Sequence, residues 1–354
     1  MGTYNLRTEI EETLNIARSL IHTDPDEALR LARFVTDRAA SIEDRNSQAL
    51  AALIIALAFR AIPSAKEDER EAAAANASLL ALQNDLDDAW IDAIDCHADV
   101  SYDTGNYNEA MDLWLQLLEV GLERRWPKAI ARAYIGVGKL FFIYEDPQSS
   151  LEAHLKVTPL LSEIADKNIH VCHYLNVAAA QLHLHNELAS NQALDLAESA
   201  LIELAFCEYE PELYYYRGHL LRNAGQKEAA KQQFERAFAL NGRSSNYWGK
   251  VVNMIAIGEL HLAQNETHSS HYFMQQALDA AASIPAKYLL MLAHAGLAQT
   301  YAAKGQTDLE FTHWQQHFEI AEEINTGKTS QRLATFKRHS LQQRVHELED
   351  SLNN

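Results

Sequence analysis

The chain has 354 residues, 47% of them hydrophobic, with only seven Pro and a formal charge of −19. So acidic a body argues against nucleic acid or an anionic membrane as a partner. Three scattered cysteines (Cys96, Cys172, Cys207), an N-terminus without a basic-then-apolar leader, and a longest apolar stretch (Ala49 to Phe59) about half a membrane span long lead us to expect a cytoplasmic protein without disulfides.

From the N-terminus, Asp24-Pro25-Asp26-Glu27-Ala28 and Ile62-Pro63-Ser64 read as turns, and the block from Glu67 to Asn76 as an alanine-rich helix with a charged start. Two helix pairs are therefore expected before Asp87. Beyond it a period of 40 residues takes over: Ala98, Gly138, Ala178, Gly218, Gly258 and Ala298 are all small. Seven residues on stand Gly105, Glu145, His185, Gly225, Asn265 and Gly305, four of them Gly or Asn, which marks helix ends. Twelve on, the chain is small again (Ala110, Ser150, Ser190, Ala230, Ser270, then Glu310). Sixteen on, it is bulky: Trp114, His154, Leu194, Phe234, Met274 and Trp314. Small, turn, small, bulky is the logic of two antiparallel helices packed at close range.

The segment Tyr214-x3-Gly218-x2-Leu221-x3-Gly225-x4-Ala230-x3-Phe234-x2-Ala237 resembles the tetratricopeptide (TPR) family, and Gly105-Asn-Tyr107-Asn-Glu-Ala110 resembles its inter-helix turn. The likeness runs from about 87 to 325, with a repeat of 40 residues where the family has about 34, so each pair is expected to be longer by roughly a turn and a half. It implies an all-α, TPR-like superhelical solenoid of about eight helix pairs over residues 1–325, with a separate C-terminal helix over 326–354.

No phosphate loop, nucleophile elbow, HExxH or kinase signature occurs, so no enzyme and no cofactor are expected. His170, His173, His183 and His185 crowd one repeat, and His313 and His317 have i,i+4 spacing, but no carboxylate or cysteine completes a metal set. They read as packing and turn residues.

In arrays resembling TPRs the first helix of each pair lines a concave groove. Asp92, Asp95, Asp99 and Asp103 then form an acidic stripe, either solvated or matched by a cationic partner. Lys139, Asn176, Tyr215, His219, Arg222 and Asn253 form a mixed basic, amide and aromatic surface, similar to the carboxylate-gripping grooves of TPR adaptors though without their full set of Lys and Asn. A peptide or protein is the partner expected, and an anionic ligand or a peptide with carboxylates is what these residues suggest.

From Lys328 the composition turns basic (Lys328, Arg332, Lys337, Arg338, Arg344), with Leu341, Val345, Leu348 and Leu352 at heptad spacing. A single long helix pairing a second copy in parallel is expected. An array running into such a helix resembles the sensory half of bacterial signalling proteins such as diguanylate cyclases and sensor kinases, which implies a regulatory module relaying to an output domain. The alternative is a free-standing adaptor whose last helix caps the array near Trp314 and Phe318.

Overall fold

Helix starts follow from side chains that cap orphan amides. Asp24 accepts from the amide of Glu27, Asp44 from Ser47 and Asp146 from Ser149, with Pro25 and Pro147 just inside two of those helices. In the computed structural model, which describes residues 2–62, 64–144, 146–242, 246–283, 286–326 and 342–351, the elements up to 326 are sixteen α-helices and one 3-10 turn. They are α1 (Gly2–Leu20), α2 (Pro25–Ala40), α3 (Arg45–Ala61), α4 (Glu67–Gln83), α5 (Asp87–Asp103), α6 (Tyr107–Arg124), α7 (Pro127–Ile143), α8 (Pro147–Leu155), α9 (Lys167–His183), α10 (Glu187–Leu201), α11 (Glu210–Asn223), α12 (Lys227–Asn241), α13 (Tyr247–Ala263), α14 (Thr267–Ala281), α15 (Lys287–Ala303) and α16 (Thr307–Thr326). No strand occurs among the described residues. The fold is an all-α array of eight TPR-like helix pairs.

The chain divides into two compact units, one up to Gly136 and one from Val137 onward. Within the first, α1 to α5 pack each on the next, and α1 also touches α3 and α3 touches α5. Within the second, α9, α11, α13 and α15 touch in succession in the same way. Odd helices approach their odd neighbours more closely than even ones do, so they form the inner row of each unit.

The turn column behaves as its composition foretells. Gly105, His185, Gly225, Asn265 and Gly305 all have φ between 59° and 85°, the left-handed region that closes a helix most cheaply with Gly or Asn. Glu145 lies outside the described residues. Where the small residue is glycine, it meets the bulky one of its own pair. A methyl group on Gly138 would fall 2.3 Å from the His154 ring, and one on Gly218 2.5 Å from Phe234. These contacts need a missing Cβ.

One pair departs from the pattern. Its second helix, α8, has nine residues, against 15 in α10, α12 and α14. The chain then passes into the 3-10 turn Thr158–Glu163, with Pro159 near its start; proline removes an amide the longer helix would need. Residues 342–351 are helical, with Gln342, Val345, Leu348 and Glu349 half-buried. Gln342 donates to the Ser149 hydroxyl at 2.7 Å, and Lys156 pairs with Glu349. Leu341 and Leu352 lie outside the described residues. On α16, where the sequence suggested a cap, Phe311 and Phe318 stand 69% and 63% exposed, and Phe318 stacks on Trp314 of its own helix at 5.9 Å.

Candidate functional site

In the unit up to Gly136, the acidic stripe lies along α5 and is answered by bases of this same chain. Arg132 donates to Asp95 at 3.0 Å and to Asp92 at 3.3 Å, while Lys128 pairs with Asp88 and Asp92 at 2.8 and 2.9 Å. On the other side Arg60 of α3 pairs with Asp99 at 3.0 Å and Asp103 at 3.3 Å. Asp95 also accepts from the Trp114 indole at 3.0 Å. Asp95 and Asp99 are buried. A buried carboxylate is tolerated only when paired and hydrogen-bonded, and here the pairs bridge successive helix pairs. The stripe's charge is thus matched inside the fold, which leaves little of it for a partner.

The unit from Val137 onward holds all six groove candidates. Three of them converge on α11, where spacings of three and four residues place Tyr215, His219 and Arg222 on one face. The rings of Tyr215 and His219 stand edge-on at 4.4 Å, and His219 meets the buried Phe234 at 5.2 Å. Arg222 donates to the Glu259 carboxylate at 2.7 Å and to His219 Nδ1 at 2.9 Å. A guanidinium only donates, so Nδ1 is the acceptor and the neutral ring carries its proton on Nε2. Burial, then the charge of Arg222 and the nearby His183, push the His219 pKa down to about 3, so the ring is neutral at any working pH. Its Nε2–H is buried without a partner. The ring thus keeps one neutral donor in reserve, enclosed on α11.

The remaining candidates are placed differently. Lys139 and Asn176 are half-buried on α7 and α9, and Asn176 donates to the carbonyl of Cys172, four residues back, at 2.8 Å. Asn253 is 1% exposed and donates to the Gly249 carbonyl at 2.8 Å. Its place in the repeat is shared by His173, Leu213 and Ala293, all buried. That column packs helix against helix, so Asn253 sits in the core beside the inner face. Its Oδ1 has no partner.

Three residues that the sequence did not single out complete the surface. Tyr216 packs on Tyr215 at 5.3 Å, and Glu259 holds Arg222. Glu212 occupies the first turn of α11, where an acid reads as an ordinary helix-start residue. Burial, then the charge of Glu208, push its pKa up to about 7, with Lys139 opposing. Only its closeness to two tyrosines at i+3 and i+4 could have marked it beforehand.

The histidines are held one by one. His170 bonds the Ile164 carbonyl at 2.8 Å, and His173 the Thr158 hydroxyl at 3.2 Å. His185 is a turn residue with φ of 59°. His313 and His317 look to different partners, His294 at 2.9 Å and the Met291 carbonyl at 2.9 Å. Among the described residues no three His, Cys, Asp or Glu side chains are arranged to hold a metal, and no helix is long and apolar enough to cross a membrane.

No protein-family profile matches the chain, and no curated protein matches its sequence. Solved structures do resemble it, and they include TPR-repeat proteins. The apo form of RapI aligns over 91% of this chain and 99% of its own, with a TM-score of 0.53 at 12% identity. A monomeric mutant of IFIT1, solved with Gppp-AAAA, aligns over 97% of this chain and 85% of its own, with a TM-score of 0.52 at 12% identity. The kinesin light chain TPR-like repeats of Podosopora anserina align over 56% of this chain and 97% of their own, with a TM-score of 0.40 at 12% identity. At such identities the likeness is one of fold, and the fold is that of a TPR-like helix-pair array.

Proposed function

We propose that this chain is a non-catalytic interaction module of the cytoplasm, which holds an extended peptide, or a segment of a partner protein, against the odd helices of its second unit. The observation that carries this reading is the α11 face. Tyr215 supplies aromatic surface there, while the enclosed, unpartnered Nε2–H of His219, locked in tautomer by Arg222, supplies a donor that a small movement of the ring would open to a ligand. Backbone carbonyls of an extended chain are the acceptors such a donor suits, and aromatic walls give purchase on side chains. The likeness in fold to TPR-repeat proteins supports an interaction role. IFIT1 was solved with Gppp-AAAA, but in this chain the groove arginine is already engaged by Glu259 and the net charge is −19, which disfavours a polyanion.

Relay to an output domain of the diguanylate cyclase or kinase type is the finer reading, and it depends on the C-terminal helix being available to a second copy. The packing of residues 342–351 on α8 supports the adaptor reading at least as well. A displayed library of random octapeptides tests the common core of both. Enriched peptides should bind the intact chain, lose at least tenfold in affinity with His219→Ala, and be indifferent to Gln232→Ala on exposed α12 surface. Failure to enrich any peptide, or binding untouched by His219→Ala, would sink the groove.

A further inference from the structure

We infer that the subsite around Glu212 takes a cationic group of the bound chain, a lysine or arginine side chain or a peptide's N-terminal amine, with Tyr215 and Tyr216 as its aromatic wall. The inference rests on the groove reading above and names the chemistry of one of its pockets. It also reverses the ligand charge that the sequence alone suggests.

Charge matching on α11 comes first. Arg217 is satisfied by Asp195 at 3.0 Å and Glu198 at 2.8 Å, and Arg222 by Glu259 at 2.7 Å. Glu212 differs: its carboxylate makes no ion pair or hydrogen bond with any described residue, and Lys139 acts on it only through space. A desolvated carboxylate without a partner is costly. Protonation removes the charge but creates an O–H that needs an acceptor in turn. A visiting cation resolves both, because it pairs the carboxylate and leaves no donor stranded.

The walls fit the same guest. Helix spacing sets Tyr215 and Tyr216 at i+3 and i+4 from Glu212, and their rings meet edge-on at 5.3 Å. Aromatic faces beside a carboxylate favour ammonium and guanidinium groups and give nothing to an anion. Burial and the neighbouring Glu208 hold the Glu212 carboxyl up at about 7, the behaviour of an acid short of positive charge. The whole chain, at −19, draws cations toward itself.

Spacing along α11 adds a further constraint. Glu212 and His219 are seven residues apart, about 10 Å at roughly 1.5 Å per residue. That equals about three residues of extended peptide at roughly 3.3 Å each. The anchored cation and the carbonyl held by His219 therefore belong to residues about three apart in the ligand.

Peptides enriched on the full chain should carry a lysine, an arginine or a required free amine. Changing that lysine to norleucine, or acetylating that amine, should weaken binding at least tenfold in fluorescence anisotropy. Glu212→Gln should lose the same amount, and peptide and protein changes together should lose no more than either alone. Glu212→Gln removes an unpaired, half-buried charge, so the variant is expected to fold at least as well as the parent. If enriched peptides depend on His219 yet are neutral or acidic, or if Glu212→Gln leaves affinity unchanged, the cationic subsite is wrong while the groove stands. If no peptide depends on His219, the groove itself fails and this subsite with it.

Discussion

Replacing Gly218 by alanine tests the packing that carries both the repeat and the groove. The added methyl would sit 2.5, 2.7 and 2.9 Å from three carbons of the Phe234 ring, where 3.5–4.0 Å is a relaxed carbon–carbon contact. Phe234 is wholly buried, so the ring must shift by about 1 Å into a filled space or push α11 away from α12. Overpacking of this kind costs about 1–3 kcal/mol. Alanine's better helix propensity offsets roughly 0.5–1 kcal/mol of it, leaving a net loss of about 1–2 kcal/mol. Gly258→Ala is the matched control: there the methyl meets Met274 atoms at 3.0–3.2 Å, and a thioether chain can yield by the few tenths of an ångström required. A repeat array need not unfold in one step, so the assay is native-state hydrogen exchange of the amides in α11 and α12. Exchange there should quicken about 5–30-fold in Gly218→Ala and stay near the parent value in α13 and α14 of Gly258→Ala. Equal protection in Gly218→Ala and its parent, or equal losses in the two variants, would refute the close-approach argument.

Four further outcomes are expected. Arg132→Ala removes a cation from Asp95 but leaves it the Trp114 bond and leaves Lys128 to Asp92, so it should cost about 2 kcal/mol, below the full cost of a broken buried pair, as read by urea unfolding. Glu212 is held above its unfolded pKa, so its contribution is fully present below about 4.5 and lost as pH rises through about 7; Glu212→Gln should therefore gain on the parent across that window, by at most ~3 kcal/mol, in melts taken from pH 4 to 9. Burial pushes the Cys96 and Cys207 thiols up to about 12, so native alkylation at pH 8 should label half-buried Cys172 alone, and mass spectrometry finding Cys96 labelled as fast would contradict the packing of α5. Lys156→Glu sets like charges against Glu349, so it should free residues 342–351 from α8 and raise any dimer population in sedimentation; an unchanged population means that Val345 and Leu348 do not pair copies of this chain.

The helix pairs were legible because sterics repeat. Gly138, Gly218 and Gly258 must be small to admit His154, Phe234 and Met274, and that demand returns every 40 residues. The turns between pairs were not so plain. Asp85 and Arg125, also 40 apart, both adopt positive φ, and no glycine announces them. The short α8 follows from Pro159, a single residue that a periodic reading averages away. The fate of the acidic stripe was hidden in the same period, for Asp88 and Asp92 each find their cation 40 residues on, at Lys128 and Arg132. A stripe read on one helix looks solvated until the next pair is laid against it.

The site resists periodic reading for a deeper reason. The position just after the small column reads Asp99, Lys139, Ala179, His219, Glu259 and Gln299: one geometry, five different chemistries. Repetition fixes where these side chains stand, and their variety decides what they hold. Where neighbours happen to complement one another, they cancel: Glu259 takes Arg222, and Arg60 takes Asp99. The groups left over after this cancelling, the Nε2–H of His219 and the carboxylate of Glu212, are the ones with binding capacity to spare. Counting charges along the sequence overweights Arg222, which Glu259 already holds, and so suggests an anionic ligand. Pairing them off in three dimensions leaves a neutral donor and an unmatched acid, which ask for a carbonyl and a cation.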